Sequence, residues 1–295
     1  MGMARLGIFP AIFACLALGL SGCAKEAGPA ASLPATLAAP AGAHAHAGDP
    51  RLDGTLWYQR SAEAPHLAQQ AYVAATARLA QALRESGSAA TEQPDGGQGK
   101  PAAVVFDVDE TVLDNSPYQA RLIASGTQGF DAAAWDRWVA EHKARPIAGA
   151  VAFVQALRAA KVRPIFITNR ACEKRSGSAE PCPQAADTLV NLRDAGFGPV
   201  VPDDLLLVGQ NGWTSDKTER RRTVAQRYRI VMLMGDQLTD FLGVPSKSGS
   251  ADRQALADAH SAKWGTRWFL LPNPMYGGWL DAIPAPHAGA LQTDP

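Results

Sequence analysis

Net charge is what this chain lacks first. Its 295 residues carry 28 Lys+Arg against 28 Asp+Glu, and charged residues make up only 19%. There is no basic excess of the kind that binds a nucleic-acid polymer, and the 46% hydrophobic content is that of a globular chain rather than a disordered polyelectrolyte. Cysteine is scarce too: four in a chain of this length exclude a disulfide-stapled mini-protein. Long apolar runs are also missing. The best candidate, Leu6 to Leu20, is interrupted by Pro10 and is too short to span a bilayer as a permanent anchor. No internal repeat is present.

What is there begins with an address. Arg5 precedes the apolar run, which ends in Leu20-Ser21-Gly22-Cys23. This ending resembles the lipobox of bacterial lipoproteins and implies cleavage after residue 22 and acylation of Cys23, with an ordinary cleaved signal or a short anchor helix as alternatives. Ala24 rather than Asp at the next position implies sorting to the outer membrane, with the lipid as the membrane contact. Residues 23–50 are rich in Ala, Pro and Gly and read as a flexible tether. His44 and His46 inside it are read as solvated, because two ligands on a floppy segment make a weak metal site.

The folded part is expected over 51–287, with a tail at 288–295. Leu67, Ala71, Ala75, Leu79 and Leu83 repeat at helical spacing and predict a helix from Ser61 to about Arg84. Strands then alternate with helices. Ala102 to Asp107, Val162 to Thr168, Leu205 to Val208, Ile230 to Met234 and Arg267 to Leu271 read as strands, with helices over Gly149 to Lys161, Pro183 to Ala195 and Ser215 to Tyr228. Short apolar strands between helices predict an α/β doubly wound, mainly parallel sheet, with its chemistry at the carboxyl ends of the strands. Segment 115–146 is too long for a simple connection and predicts a small helical cap, together with about 55–90.

At those strand ends stand chemically telling residues. Asp107 and Asp109 leave the first strand two positions apart; Thr168-Asn169-Arg170 ends the second; Lys217 opens a helix; Gly235-Asp236 and Asp240 end the fourth. Each alone is a weak signal, whereas their order on one α/β domain is a strong one. The set resembles the motifs of the haloacid dehalogenase superfamily. That resemblance implies Asp107 as nucleophile, Asp109 as acid/base, Thr168 and Lys217 as phosphoryl-binding catalytic residues, and Asn169 and Arg170 as further substrate contacts. It also implies a magnesium ion held by Asp107, the carbonyl of Asp109, Asp236 and, from further out, Asp240. The longer strings LWYQRSAE, DVDETVLDNSPY, FDAAAWDRWV, RPIAGAVAF, ITNR, GDQLTDF and LPNPMYGGW look like the class C acid phosphatases, bacterial surface lipoproteins that hydrolyse phosphomonoesters including 5′-nucleotides.

By the same resemblance Trp135 and Tyr276 stack on a substrate ring, with ordinary packing as the alternative; Trp138 and Trp279 are assigned to packing. The loop from Gln93 to Lys100 offers no aromatic side chain, which would weaken nucleotide preference if relatives build a wall there. Cys172 and Cys182 can bridge in an oxidising compartment or remain free thiols. Arg220, Arg221 and Arg222 are read as a solvated helix face rather than a substrate funnel, and His142, His260 and His287 are left without a role. Phosphotransfer at the same site, or a surface lipoprotein that only binds, are the other readings, and a homodimer is left open.

Overall fold

The computed structural model describes residues 48–293, so Cys23, His44 and His46 lie outside the described residues. Two helices, α1 (Leu52–Arg60) and α2 (Glu63–Arg84), lead into strand β1 (Ala102–Phe106). The single helix expected over 61–84 therefore begins at Glu63, where the Ser61 hydroxyl accepts from the Ala64 amide at 3.1 Å and separates it from α1. A two-residue ribbon, β2 (Leu113–Asp114) against β3 (Arg145–Pro146), brackets α3 (Ser116–Ser125) and α4 (Ala132–Ala140). Then follow α5 (Ala150–Ala159), β4 (Arg163–Ala171), α6 (Pro183–Leu192), β5 (Leu205–Val208), α7 (Thr218–Arg227), β6 (Arg229–Gly235), α8 (Ser250–Asp258), β7 (Trp268–Leu270) and α9 (Gly278–Asp281).

The main sheet is wholly parallel in the order β5-β4-β1-β6-β7, which makes β1 the middle strand. Alternation along β1 explains its burial on both sides. Val104 and Phe106 join the layer of Tyr72, Phe153 and Phe166, while Ala103 and Val105 join that of Ile165, Leu233 and Trp268. Chain order moves from the middle outward to one edge and then to the other, so the reversal falls beside β1, where a doubly wound sheet opens its crevice.

The cap is smaller than the sequence suggests. Helix α1 packs on α3, whereas α2 packs on α5 and the sheet. The reason is its Ala68, Tyr72, Ala75, Leu79 and Ala82 face, which is buried in the main core. Cys172 and Cys182 form a disulfide across ten residues, between the end of β4 and the start of α6, a loop whose closure contributes about 2–3 kcal/mol in the chain-entropy account. Among the described residues no helix is long and apolar enough to cross a membrane.

The arginine triplet departs from expectation. Arg220 and Arg221 are fully buried, and only Arg222 is solvated, beside Glu219. Arg220 donates to the Thr168 carbonyl (2.6 Å), the Asn169 side chain (2.6 Å) and the Thr214 carbonyl (2.9 Å), while Arg221 pairs with buried Glu92 at 2.6 Å and donates to the carbonyls of Thr239 and Asp240. Both guanidinium groups thus tie strand-end loops together, a task that local sequence does not reveal.

Candidate active site

Asp107 continues the ladder by one residue, its amide donating to the Met234 carbonyl at 2.9 Å, and so stands where β1 and β6 stop. Lys217, at the start of α7, donates to Asp107 and to Asp240 Oδ1 (2.6 Å), and all three side chains are buried. Asp240 Oδ2 accepts the amides of Asp236 (3.1 Å) and Gln237 (2.8 Å), which folds the turn after β6 back on itself. That turn demands glycine at 235, since a Cβ there would fall 2.4 Å from Asp240.

Oxygens of Asp107, Asp236 and Asp240 lie within 4.8 Å of one another. Around one ammonium this cluster is short of positive charge. Burial, aided by Asp240 and resisted by the amides of Asn273 and Gln237, pushes the Asp236 carboxyl up to about 6. Burial also drives Asp107 upward, against the pull of Lys217 and with the push of Asp240, Asp236 and Asp109. Lys217 is disfavoured by burial but carried above its usual value by its two carboxylates. Asp236 Oδ2 accepts from Asn273 (2.8 Å) and Gln237 (2.9 Å). A hard, oxygen-preferring divalent cation fits this donor set, and Asp107 and Asp236 could hold it directly. Asp240, spent on Lys217 and two amides, would stand behind them.

Asp109 is held apart from these three. It accepts from Arg170 Nε (3.0 Å) and Nη2 (2.8 Å), from Thr168 Oγ1 (3.1 Å) and from Asn115 Nδ2 (2.9 Å). Arg170 and Thr168, read as substrate and phosphoryl contacts, are therefore turned onto Asp109. Arg170 is 1% exposed and also donates to Thr188 and Asn115, so it borders the cavity with most of its N–H groups already committed. Thr168 is not among the cavity-lining residues, and the Asn169 amide, which does line it, bridges Ser215 and Arg220. Trp138, read as packing, is buried but also donates to Asn115 at 2.8 Å, orienting the amide that holds Asp109.

Above the carboxylates opens a cavity of about 520 Å³. Asp107, Asp109, Lys217 and Asp236 form its polar end and Tyr118, Phe130, Trp135 and Tyr276 its aromatic wall. Trp135 meets Tyr118 edge to face at 4.9 Å, and the Phe130 ring lies 6.4 Å from it. Tyr276 is oriented by its hydroxyl, which donates to buried Glu110. None of residues 93–100 reaches the cavity: Gln93 instead donates to the carbonyls of Ala225 and Tyr228, so the missing aromatic of that loop leaves the wall intact. Gln237 joins the two ends. Its amide donates to Asp236 and to the Tyr276 carbonyl (3.2 Å) and accepts the Gly278 amide (3.1 Å), and it lies where a side chain on Gly277 (φ +130°) would sit.

Sequence reasoning assigned no role to Glu110, Tyr118, Phe130, Asn273 or Gln237. Asn273 and Gln237 sit in the quoted strings LPNPMYGGW and GDQLTDF, so closeness to an assigned residue was the available signal. Glu110 and Tyr118 sit in DVDETVLDNSPY and Phe130 opens FDAAAWDRWV, so the same signal covers them.

A parallel sheet with a buried Asp-Lys-Asp-Asp cluster at its carboxyl edge and a cavity above defines an α/β enzyme of the haloacid dehalogenase class. The family described as HAD superfamily, subfamily IIIB (Acid phosphatase), matches residues 45–279, and the chain belongs to it. Among solved structures it is similar to the class C acid phosphatase from Bacillus anthracis, 32% identical, with a TM-score of 0.66 over 79% of this chain and 87% of that one. The same Bacillus anthracis enzyme with tungstate bound gives a TM-score of 0.67. Curated relatives include Acid phosphatase 1 of Solanum lycopersicum, 30% identical over 177 residues, and a Stem 31 kDa glycoprotein of Glycine max, 27% identical over 175. The match spans 57% and 58% of the length of those two plant proteins.

Proposed function

We propose that the protein is a magnesium-dependent acid phosphatase that hydrolyses phosphomonoesters, 5′-nucleotides among them, through an aspartyl-phosphate on Asp107. The observation that carries this reading is the position of Asp107: at the end of the central strand, beside Lys217 and Asp236, and open to the cavity. Tungstate, the tetrahedral oxyanion bound by the similar Bacillus anthracis enzyme, has the shape of a phosphoryl group.

The chain's own residues supply the steps. An Asp107 oxygen attacks phosphorus as the ester P–O bond breaks, and Asp109 gives its proton to the departing alkoxide. Asp109, now a carboxylate, takes a proton from water, whose oxygen attacks phosphorus and frees phosphate and Asp107. Lys217 holds charge against both anions throughout. Magnesium on Asp107 and Asp236 would neutralise the repulsion between carboxylate and phosphoryl group. The aromatic wall suits a leaving group that carries a flat ring, because every base presents a π face.

Acylation of Cys23 would fix the enzyme to the bacterial outer membrane, a reading supported by the sequence Leu20-Ser21-Gly22-Cys23. Loss of radiolabelled palmitate from Cys23→Ser tests it; equal labelling of the variant discards it. The activity is tested by phosphate release from AMP, nicotinamide mononucleotide and an aryl phosphate, after EDTA and after magnesium is restored. Release that EDTA abolishes and magnesium restores is expected. No release from folded, magnesium-loaded protein would leave a lipoprotein that only binds.

A further inference from the structure

The loop between α3 and α4, residues 126–131, carries Phe130 to the cavity wall. Its two ends are tied locally. The Thr127 amide donates to the Leu122 carbonyl at 3.0 Å, and the Tyr118 hydroxyl donates to the Asp131 carbonyl at 3.0 Å. Its middle has one long local bond, from the Gln128 side chain to the Gly126 carbonyl at 3.4 Å. Gly129 is left-handed (φ +71°) with open space around it, and Phe130 is 69% exposed.

What reaches that middle is a side chain from more than seventy residues earlier. Arg51 Nη2 donates to the Thr127 carbonyl at 2.6 Å and Nη1 to the Gly129 carbonyl at 3.2 Å. The other edge of the same guanidinium is seated on Asp49, Nε on Oδ1 at 2.9 Å and Nη2 on Oδ2 at 2.6 Å. The Asp49 carboxylate is fully buried and Arg51 is 11% exposed, so this is a partly desolvated fork rather than a loose surface pair.

We infer that Arg51, seated on Asp49, is a positioning residue that clamps the 126–131 loop and so presets Phe130 for a ring-bearing leaving group. The inference rests on the phosphomonoesterase reading only for the identity of what fills the cavity. A loop ordered before the ligand arrives removes that ordering from the binding step, so the clamp acts on affinity and leaves the chemistry at Asp107 alone. A lysine at 51 would keep the charge and the Asp49 contact but not the fork that spans two carbonyls.

The test compares full-length wild type, Arg51→Ala, Arg51→Lys and, as a control for loss of an exposed arginine, Arg222→Ala. Amide hydrogen exchange is followed at 127–131, and KM and kcat are measured for AMP and for the ring-free ester glycerol 3-phosphate. In Arg51→Ala exchange at 127–131 should quicken while β1 and β4 stay protected. KM for AMP should rise about fivefold, with kcat and the glycerol phosphate constants within about twofold. Arg51→Lys should fall between, and Arg222→Ala should match wild type. Unchanged exchange at 127–131 overturns the clamp, and so does an equal rise in KM for both esters. If wild type hydrolyses neither ester, the phosphatase reading fails, and hydrogen exchange still decides the clamp by itself.

Discussion

At the carboxyl end of β1 and β6, Asp107, Lys217, Asp236 and Asp240 are buried, and each is held by at least two hydrogen-bonding or charged neighbours. Across the same cavity, Phe130 is 69% exposed and meets Tyr118 and Trp135 only through tilted or edge-on rings. The polar end hangs from the middle of a parallel sheet, while the aromatic wall hangs from a loop and short helices. A rigid polar end fits a step common to every phosphomonoester, and a wall carried on a loop and short helices fits a leaving group that varies. The division predicts that polar-end substitutions change turnover for all substrates, and wall substitutions change affinity for some.

The most severe expected change is Asp107→Asn. Removing the nucleophile should lower turnover at least about a thousandfold for ring-bearing and ring-free esters alike, measured as phosphate release by a variant whose circular dichroism matches wild type. A loss confined to nucleotides would erase the distinction between polar end and wall. Next is Arg220→Ala, which strands the Thr168 and Thr214 carbonyls and should cost about 3 kcal/mol in urea unfolding. Arg222→Ala, two residues on, should leave the midpoint where it was.

Trp135→Ala strikes the wall. Losing one stacking surface should raise KM for AMP about tenfold, with kcat little changed; an equal effect on glycerol 3-phosphate would assign the tryptophan to packing. The mildest expectation concerns pH. With Asp236 near 6 in the metal-free fold against about 4 in the unfolded chain, the folded state binds more protons between those values. Stability in EDTA should therefore fall as pH rises from about 4 to 6, and Asp236→Asn should flatten that slope in thermal scans. Magnesium, competing with the same protons, should raise the melting temperature more at pH 7 than at pH 5.

The strands and the order of the polar residues were legible because the signal is local: an apolar run such as Val104-Val105-Phe106 followed at once by acid marks both a buried strand and its functional end. That segment 115–146 holds helices rather than a simple connection was legible from its length and from Trp135-Asp136-Arg137-Trp138. Arg220 and Arg221 were not legible, since a basic triplet on a helix looks the same whether its partners are water or the carbonyls of distant loops. Nor was the pairing of Arg170 with Asp109, 61 residues apart, which turns a supposed substrate contact inward. Helix α1 was not legible, because only Thr55 of its residues is buried and no apolar stripe marks it, and α2 starts two residues after the expected Ser61. Phe130 opens the string FDAAAWDRWV, yet one aromatic residue has no period to betray its face.

Gln237 gives the comparison a last turn. One side-chain amide touches both the Asp236 carboxylate and the Tyr276 backbone, so the two ends of the cavity share a hinge. Any free energy that binds them together must act in both directions. If a cation that settles Asp236 also orders the 273–278 segment, a ligand that orders that segment must tighten the cation by the same factor. The Phe130 side reaches the polar end by a longer chain of contacts, through Trp135 and Arg170 to Asp109. Substitutions around Gly277 would change selectivity and ion affinity as one quantity.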